Sequence, residues 1–352
     1  MTDRRLPCPQ ANRSEGYWRS VWRGVRRNRR GMAGLTVVGL MLVVWIFGPL
    51  LATNQPIVCR YQGKWYFPAI VELFQARHSG PHLIKKARPF NLPQFDAKKE
   101  LGSGDFAIWP LIPYHEYEQT GAFLDPPSGR HWLGTDELGR DMLSRIIYGA
   151  RVSLQVSIGS VLLATPFSVA IGLVAGYTGG WVDNVISRLL DIGLAFPALL
   201  LALLVVAIRG TNLNSLTIAL TVIYVPRFTR VIRSSVLSVG TIQYVEAARS
   251  YGCSELRIMI GHILPNVLSP IIVQATVNLA AAVLAEASLS FLGLGVQPPR
   301  SAWGSMLNAG KIYMEQYPHL TIFPGLAIAV TVLGFNFLGD GLRDALDPHL
   351  RR

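Results

Sequence analysis

The sequence predicts an all-α integral membrane protein of about six transmembrane helices, with one extended insert after the first. Three observations carry this. Half the residues are hydrophobic and only 15% are charged, and mean hydropathy is +0.33, well off the balance of a water-soluble domain. Several uncharged runs reach the roughly 20 residues needed to cross a hydrocarbon core of about 30 Å. Those runs are far too long for barrel strands, and lipid offers no partner to open backbone groups, so a helical bundle is required.

The elements follow in order. Residues 1–31 form a basic N-terminus, and 32–52 the first span, with Pro49 near its far end. Arg19, Arg23, Arg26, Arg27, Arg29 and Arg30 precede that span and hold both the N-terminus and, with an even number of crossings, the C-terminus in the cytoplasm. Residues 53–150 are then extracytoplasmic. Arg60–Pro68 reads there as a hairpin of aromatic strands around Gln62-Gly63, and 81–105 as irregular loop with one short helix at most. The remaining 151–352 form the core. Its spans are expected at 152–177 (interrupted by Pro166), 192–208 (containing Pro197), 213–228, 267–292 and 320–338, with a short amphipathic cytoplasmic stretch at 182–190. No internal repeat is evident.

Charge and cysteine content exclude other classes. The net charge of +12 gathers in the N-terminal cluster, in one loop (Arg227, Arg230, Arg233, Arg249, Arg257) and at the C-terminus. That distribution sets topology and argues against nucleic acid; the acidic partner it suits is membrane lipid of the inner leaflet. Cys8 and Cys253 are expected inside and Cys59 outside, so no disulfide framework or metal pattern arises. The nearest approach to a phosphate loop, Gly304 with Gly310-Lys311-Ile312, has the wrong spacing and lacks the hydroxyl residue after lysine. No cofactor, metal site or catalytic residue is read from the sequence, and the chain is not expected to be an enzyme.

The polar segment 246–265 is the most informative. Glu246-Ala247-Ala248 favours a helix start, Gly252 supplies a turn, and a second helix is expected over about 254–264, closed by Leu264-Pro265 before the next span. On spacing alone an ordinary interhelical loop explains it equally. The pattern E-A-A-x-x-x-G followed by L-P nevertheless resembles the cytoplasmic coupling loop of ABC importer permeases. Gly134-Thr135-Asp136, Gly139-Arg140-Asp141 and Arg145 resemble the L-G-T-D-x-x-G-R-D-x-x-S-R segment of dipeptide and oligopeptide importers. Ala287–Gly295, Trp303-Gly304, Asn308–Gly310 and Asp344–Pro348 are similar to the same family, and Arg60–Pro68 resembles the external insert of its microcin-C-type subgroup. The chain is identified as a member of the dipeptide/oligopeptide permease family, C-type subunit.

That resemblance implies a type I importer permease fold in a bacterial inner membrane. It also implies a heterodimer with a homologous permease, two cytoplasmic ATP-binding subunits, an extracytoplasmic solute-binding protein, and alternating access driven by ATP hydrolysis in the partners. Peptides are the implied cargo, with nickel chelates or other small solutes as the alternative. The Gly134–Arg145 segment is expected to form a surface helix that orients the second span, with Thr135 or Asp136 as N-cap. Gln274, Asn278 and Glu286 are candidates for the translocation path, since an intramembrane charge is functional by default. Glu286 reads equally as a tie to a neighbouring span, and it is the one hint of a competing secondary transporter. A membrane-anchored enzyme would need chemistry in the insert, which shows no nucleophile–base set.

Overall fold

The computed structural model describes residues 14–61, 64–70 and 106–346. Among the described residues, five helices are long and apolar enough to cross a membrane, six when one bent pair counts as a single span. Gln62-Gly63, the stretch 81–105 and Cys8 lie outside the described residues.

Helix α1 (Ser14–Arg27) comes first and was not expected. Asn28 then takes an extended backbone (φ −86°, ψ 108°) and caps α2 (Arg29–Leu51), its Oδ1 accepting from the amides of Arg30 and Gly31 at 3.0 and 3.2 Å. The insert opens on β1 (Val58–Tyr61) and β2 (Lys64–Tyr66), an antiparallel pair in which Arg60 faces Trp65. This is the predicted hairpin. Phe106–Ile108 adds β3 to the other side of β1.

The second span is α3 (Met142–Thr178), ten residues longer at its start than hydropathy suggests. At about 1.5 Å per residue it runs about 55 Å, well beyond a hydrocarbon core. The expected surface helix over 134–145 is therefore corrected. Residues 131–141 form a hydrogen-bonded loop, and its end is the first turn of α3 itself.

The third span is broken. Helix α4 (Gly180–Ala195) and helix α5 (Ala198–Arg209) meet at 87° across Phe196-Pro197. At about 18 Å, α5 alone is too short to cross. Pro197 explains the break, because residues before proline avoid helical backbone. Two ion pairs, Asp183 with Arg233 and Asp191 with Arg230, hold α4 to α6 (Leu213–Gly240).

Beyond α6 come α7 (Gln243–Ser250), α8 (Glu255–Ile258), a π-helical turn over Met259–Ile263, and α9 (Leu264–Phe291). Helix α10 (Trp303–Gly310) and a 3₁₀ turn lead to α11 (His319–Leu346).

The most extensive packing joins α3 to α6. Gly159 meets Thr217, Gly172 meets Ile232 and Gly176 meets Val236, so residue numbers rise together along both helices and the two run parallel. Helices α2 and α11 cross antiparallel and closer still, since a Cβ at Gly341 would sit 2.4 Å from the Gly31 Cα. In lipid such small-residue contacts replace the hydrophobic drive that helices have in water. One end of the bundle therefore carries α1, residues 240–264 and the end of α11. The other carries the insert, α10 and the start of α3.

Substituting Gly34→Val tests that crossing, because a Cβ there would lie 2.3 Å from the Leu338 amide nitrogen, a backbone atom. Overpacking should cost about 1–3 kcal/mol and lower the melting temperature of the detergent-solubilised chain, whereas Gly39→Val, with nothing near its Cβ, should leave it unchanged.

Candidate functional site

Two sites occupy the two ends. At the loop end, Glu246, Ala247 and Ala248 lie on α7, a short helix with one buried face. Ala248 packs inward with Val245, while Glu246 and Ala247 face outward. Gly252 turns the chain with φ +73° and has open space about its Cβ position, so it is required for backbone conformation and not for room.

The expected end of the second loop helix at Pro265 is corrected. The helix runs on from Glu255 to Phe291 as one body, because the turn before the proline widens. The Leu264 amide donates to the Met259 carbonyl, five residues back, a spacing that suits a residue with no amide proton and a ring that crowds the preceding turn. Asn266 Nδ2 donates to the His262 carbonyl at 2.6 Å and satisfies a group in the widened turn. Leu264 is half-buried and Pro265 exposed.

The loop is keyed to the bundle. Val245, Ala248, Ile258 and Ile263 form one buried cluster with Leu173 of α3, Phe228, Ile232 and Val236 of α6, and Val267 of α9. A second tie was not anticipated. The Tyr177 hydroxyl at the end of α3 donates to Glu255, and the Arg249 guanidinium lies 5.4 Å from the Tyr177 ring centre. That hydroxyl, acting as a hydrogen-bond partner, raises the Arg249 guanidinium above its ordinary value. The outer face is bare: Tyr251 is 88% and Leu256 62% exposed.

At the insert end, the predicted motif forms a buried polar network. Gly134 and Gly139 both hold positive φ. Asp136 Oδ1 accepts from the amides of Leu138 and Arg140, each at 2.9 Å, and its Oδ2 takes Arg140 Nε at 2.7 Å and the Arg145 guanidinium. Arg145 Nε donates to Ser301 Oγ at 3.2 Å, and the Ser301 amide donates to Glu116 at 2.8 Å. All of these side chains are buried.

The expected N-cap at Thr135 or Asp136 is corrected: neither caps a helix. Thr135 binds the Asp125 backbone, and Asp141 is the N-cap of α3, accepting from the Ser144 amide at 2.8 Å and contacting His131 at 2.9 Å. Burial, with Asp141 close by, holds the neighbouring Tyr114 hydroxyl above its ordinary value. The motif residues Asp136, Arg140 and Arg145 come together through a loop and not through the expected helix. Glu116 and Ser301 carried no comparable signal, because they come from segments far apart in the chain.

Between the ends, Gln274 donates to Asn278 at 3.0 Å, one helical turn along α9. Glu286 is 0% exposed, and its carboxylate accepts from Ser153 of α3 and Ser290 of α9, each at 2.6 Å. Of the two readings the sequence left open for it, these contacts are those of a tie between neighbouring spans.

The sequence family described as binding-protein-dependent transport system inner membrane component matches residues 168–352. The chain belongs to that family. A second family, the N-terminal transmembrane domain of oligopeptide transport permease C, matches residues 16–64. This permease is 48% identical over 244 residues to the dipeptide transport system permease protein DppC of Alkalihalophilus pseudofirmus, covering 69% of this chain and 80% of that one. It is 45% identical to the glutathione transport system permease protein GsiD of Pectobacterium atrosepticum (70% and 83% covered) and to the di/tripeptide transport system permease protein DppC of Pseudomonas aeruginosa (70% and 83%). A solved structure titled as inward-facing conformations of the MetNI methionine ABC transporter superposes with a TM-score of 0.51 at 19% identity, over 58% of this chain and 98% of that one. That likeness bears on the fold alone, and the fold is that of a type I importer permease. Membership implies partner permease and ATPase subunits.

Asp136→Asn removes the carboxylate that directly contacts the buried Arg145 guanidinium. The expected cost is about 3–5 kcal/mol, read as loss of folded chain from membranes and a lowered melting temperature. Glu137→Gln, whose side chain is more exposed, should change neither.

Proposed function

We propose that this permease conducts short peptides into the cytoplasm and hydrolyses no ATP itself. It would work with a homologous permease, two cytoplasmic ATPases and an extracytoplasmic solute-binding protein. The observation that carries this reading is the two-sided loop of residues 243–263, which is buried against α3, α6 and α9 on one side and bare on the other. A docked ATPase pressing on Glu246, Ala247, Tyr251 and Leu256 would move three spans together.

Peptide cargo is supported by the names of the relatives, which are dipeptide, di/tripeptide and glutathione permeases. A cytoplasmic loop end is supported by charge. Arg19, Arg23, Arg26, Arg27, Arg29 and Arg30 lie at the same end as Arg249 and Arg257, as the positive-inside rule requires if both termini are cytoplasmic. The broken span α4–α5 leaves Leu189, Ile192, Leu200, Leu204 and Ile208 exposed, an apolar surface suited to lipid or to the second permease.

Alternating access then has a physical basis. Glu255–Phe291 is one helical body, so a push at α8 passes directly into α9 and carries the path candidates Gln274 and Asn278. The Asp136 network holds the opposite end of α3 while the loop end moves. Glu286 fits a structural tie better than the ion site a secondary transporter would need.

The assembled complex in proteoliposomes tests this through uptake of labelled di- and tripeptides with ATP inside the docking compartment. ATP-dependent uptake that also requires the solute-binding protein is expected. Uptake without ATPase subunits, or driven by an ion gradient alone, would overturn the reading. Gly252→Val should reduce uptake at least about tenfold while solute-binding-protein docking persists, because a β-branched residue is strained at positive φ. Gly252→Asn, which tolerates that backbone, should keep most of the uptake; equal loss in both would contradict the conformational role.

A further inference from the structure

We infer that α1 is a docking surface for acidic phospholipid headgroups of the leaflet at the loop end. Residues 19–30 contain six arginines and no acidic residue. The helix buries Val21 and Val25 against Leu342, Ala345 and Leu346 of α11 and Ile272 and Val273 of α9. Gly24 packs on Ala345, and Asn28 Nδ2 donates to Asp344 at 2.8 Å. One face is thereby pinned to the bundle at the level where the first span begins.

The opposite face is cationic and amphipathic. Arg19, Arg23, Arg26 and Arg27 are exposed, and Trp22 is 51% exposed with the Arg26 guanidinium 5.9 Å from its ring centre. An aromatic ring among arginines, beside the start of a membrane span, has the chemistry of the headgroup layer: apolar body in the acyl boundary, charge at the phosphates. A protein occupant is less well matched, since the bare face suited to an ATPase lies on the separate 243–263 loop. Because α1 bears on Ile272 and Val273, and α9 is continuous with that loop, headgroup binding holds the same helix that receives the coupling push.

The readout is lipid contact and does not depend on transport. The purified complex is reconstituted into vesicles carrying a photoactivatable phosphatidylglycerol or a photoactivatable phosphatidylcholine, and adducts are mapped by mass spectrometry. Adducts on 14–30 should be at least about tenfold more frequent with the acidic lipid, and should fall as salt is raised. The triple variant Arg19→Gln, Arg23→Gln, Arg26→Gln should lose them by tenfold or more, at about fivefold per arginine. It keeps Arg27, Arg29 and Arg30 for topology, and adducts on α5 should be unchanged, which reports an intact fold. The corresponding lysine triple variant should retain labelling. Equal labelling by both lipids, indifference to the glutamine variant, loss in the lysine variant, or crosslinking of α1 to an ATPase subunit would each overturn the proposal.

Discussion

Residues 243–263 are held to this molecule by burial. Val245, Ile258 and Ile263 are each almost wholly enclosed among the ends of α3, α6 and α9, and each is worth about 1.5–3 kcal/mol relative to exposure. A loop of two short helices has no core of its own, so without those contacts it would be a flexible connection and would transmit nothing. The π-turn adds a covalent path. It carries the helix through the proline position and joins the loop to α9 without a hinge. The Tyr177 contacts with Glu255 and Arg249 bracket Gly252 and set how α7 and α8 sit on α3.

The opposite end is built on different physics. There the fixed element is a carboxylate, Asp136, shared between two arginines and two backbone amides, with Ser301 and Glu116 extending the chain of contacts. Taking such charges out of water is costly, and an apolar replacement is often as stable. What the network supplies is register. It ties the start of α3 to the segment before α10 and to the insert, so this end of α3 is fixed while the other bears on the loop. Trp303, whose Nε1 donates to the Ile146 carbonyl at 3.0 Å, fastens α10 to the same turn. Between the ends, glycine contacts such as Gly31 with Gly341 allow backbones to meet where lipid provides no hydrophobic drive.

The spans were legible in the sequence because the solvent is lipid: about 20 apolar residues are a physical requirement, and five of the six predicted runs coincide with one continuous helix while the sixth falls on the bent pair α4–α5. Their ends were not. Met142–Arg151 and Arg227–Gly240 are helical but carry charge, so hydropathy stops where the membrane stops and the helix does not. Helix α1 has a helical signal in Trp18, Val21, Trp22 and Val25, but the six arginines of residues 19–30 are explained equally by topology alone. Pro197 was visible inside the expected span at 192–208, but the size of the turn there, 87°, was not. Pro265 misled for a clear reason. Proline usually ends a helix, and only a widened turn, invisible in sequence, carries the helix through. At the sites, local spacing served for Asp136, Arg140, Arg145 and Gly252. It was silent for Glu116–Ser301 and Tyr177–Glu255, whose partners lie 185 and 78 residues apart, and for Glu286, whose role depends on Ser153 across a helix interface.

The account rests on residues 243–263 moving as one body with the spans beneath them. Paired spin labels at Ser250 and Leu237, both exposed, measure this directly in the assembled complex once native cysteines are replaced by serine. The prediction is one narrow distance, unchanged between the nucleotide-free and ATP-bound states. A distance that shifts or broadens on ATP binding would show the loop rearranging against α6, and the rigid transmission described here would be wrong.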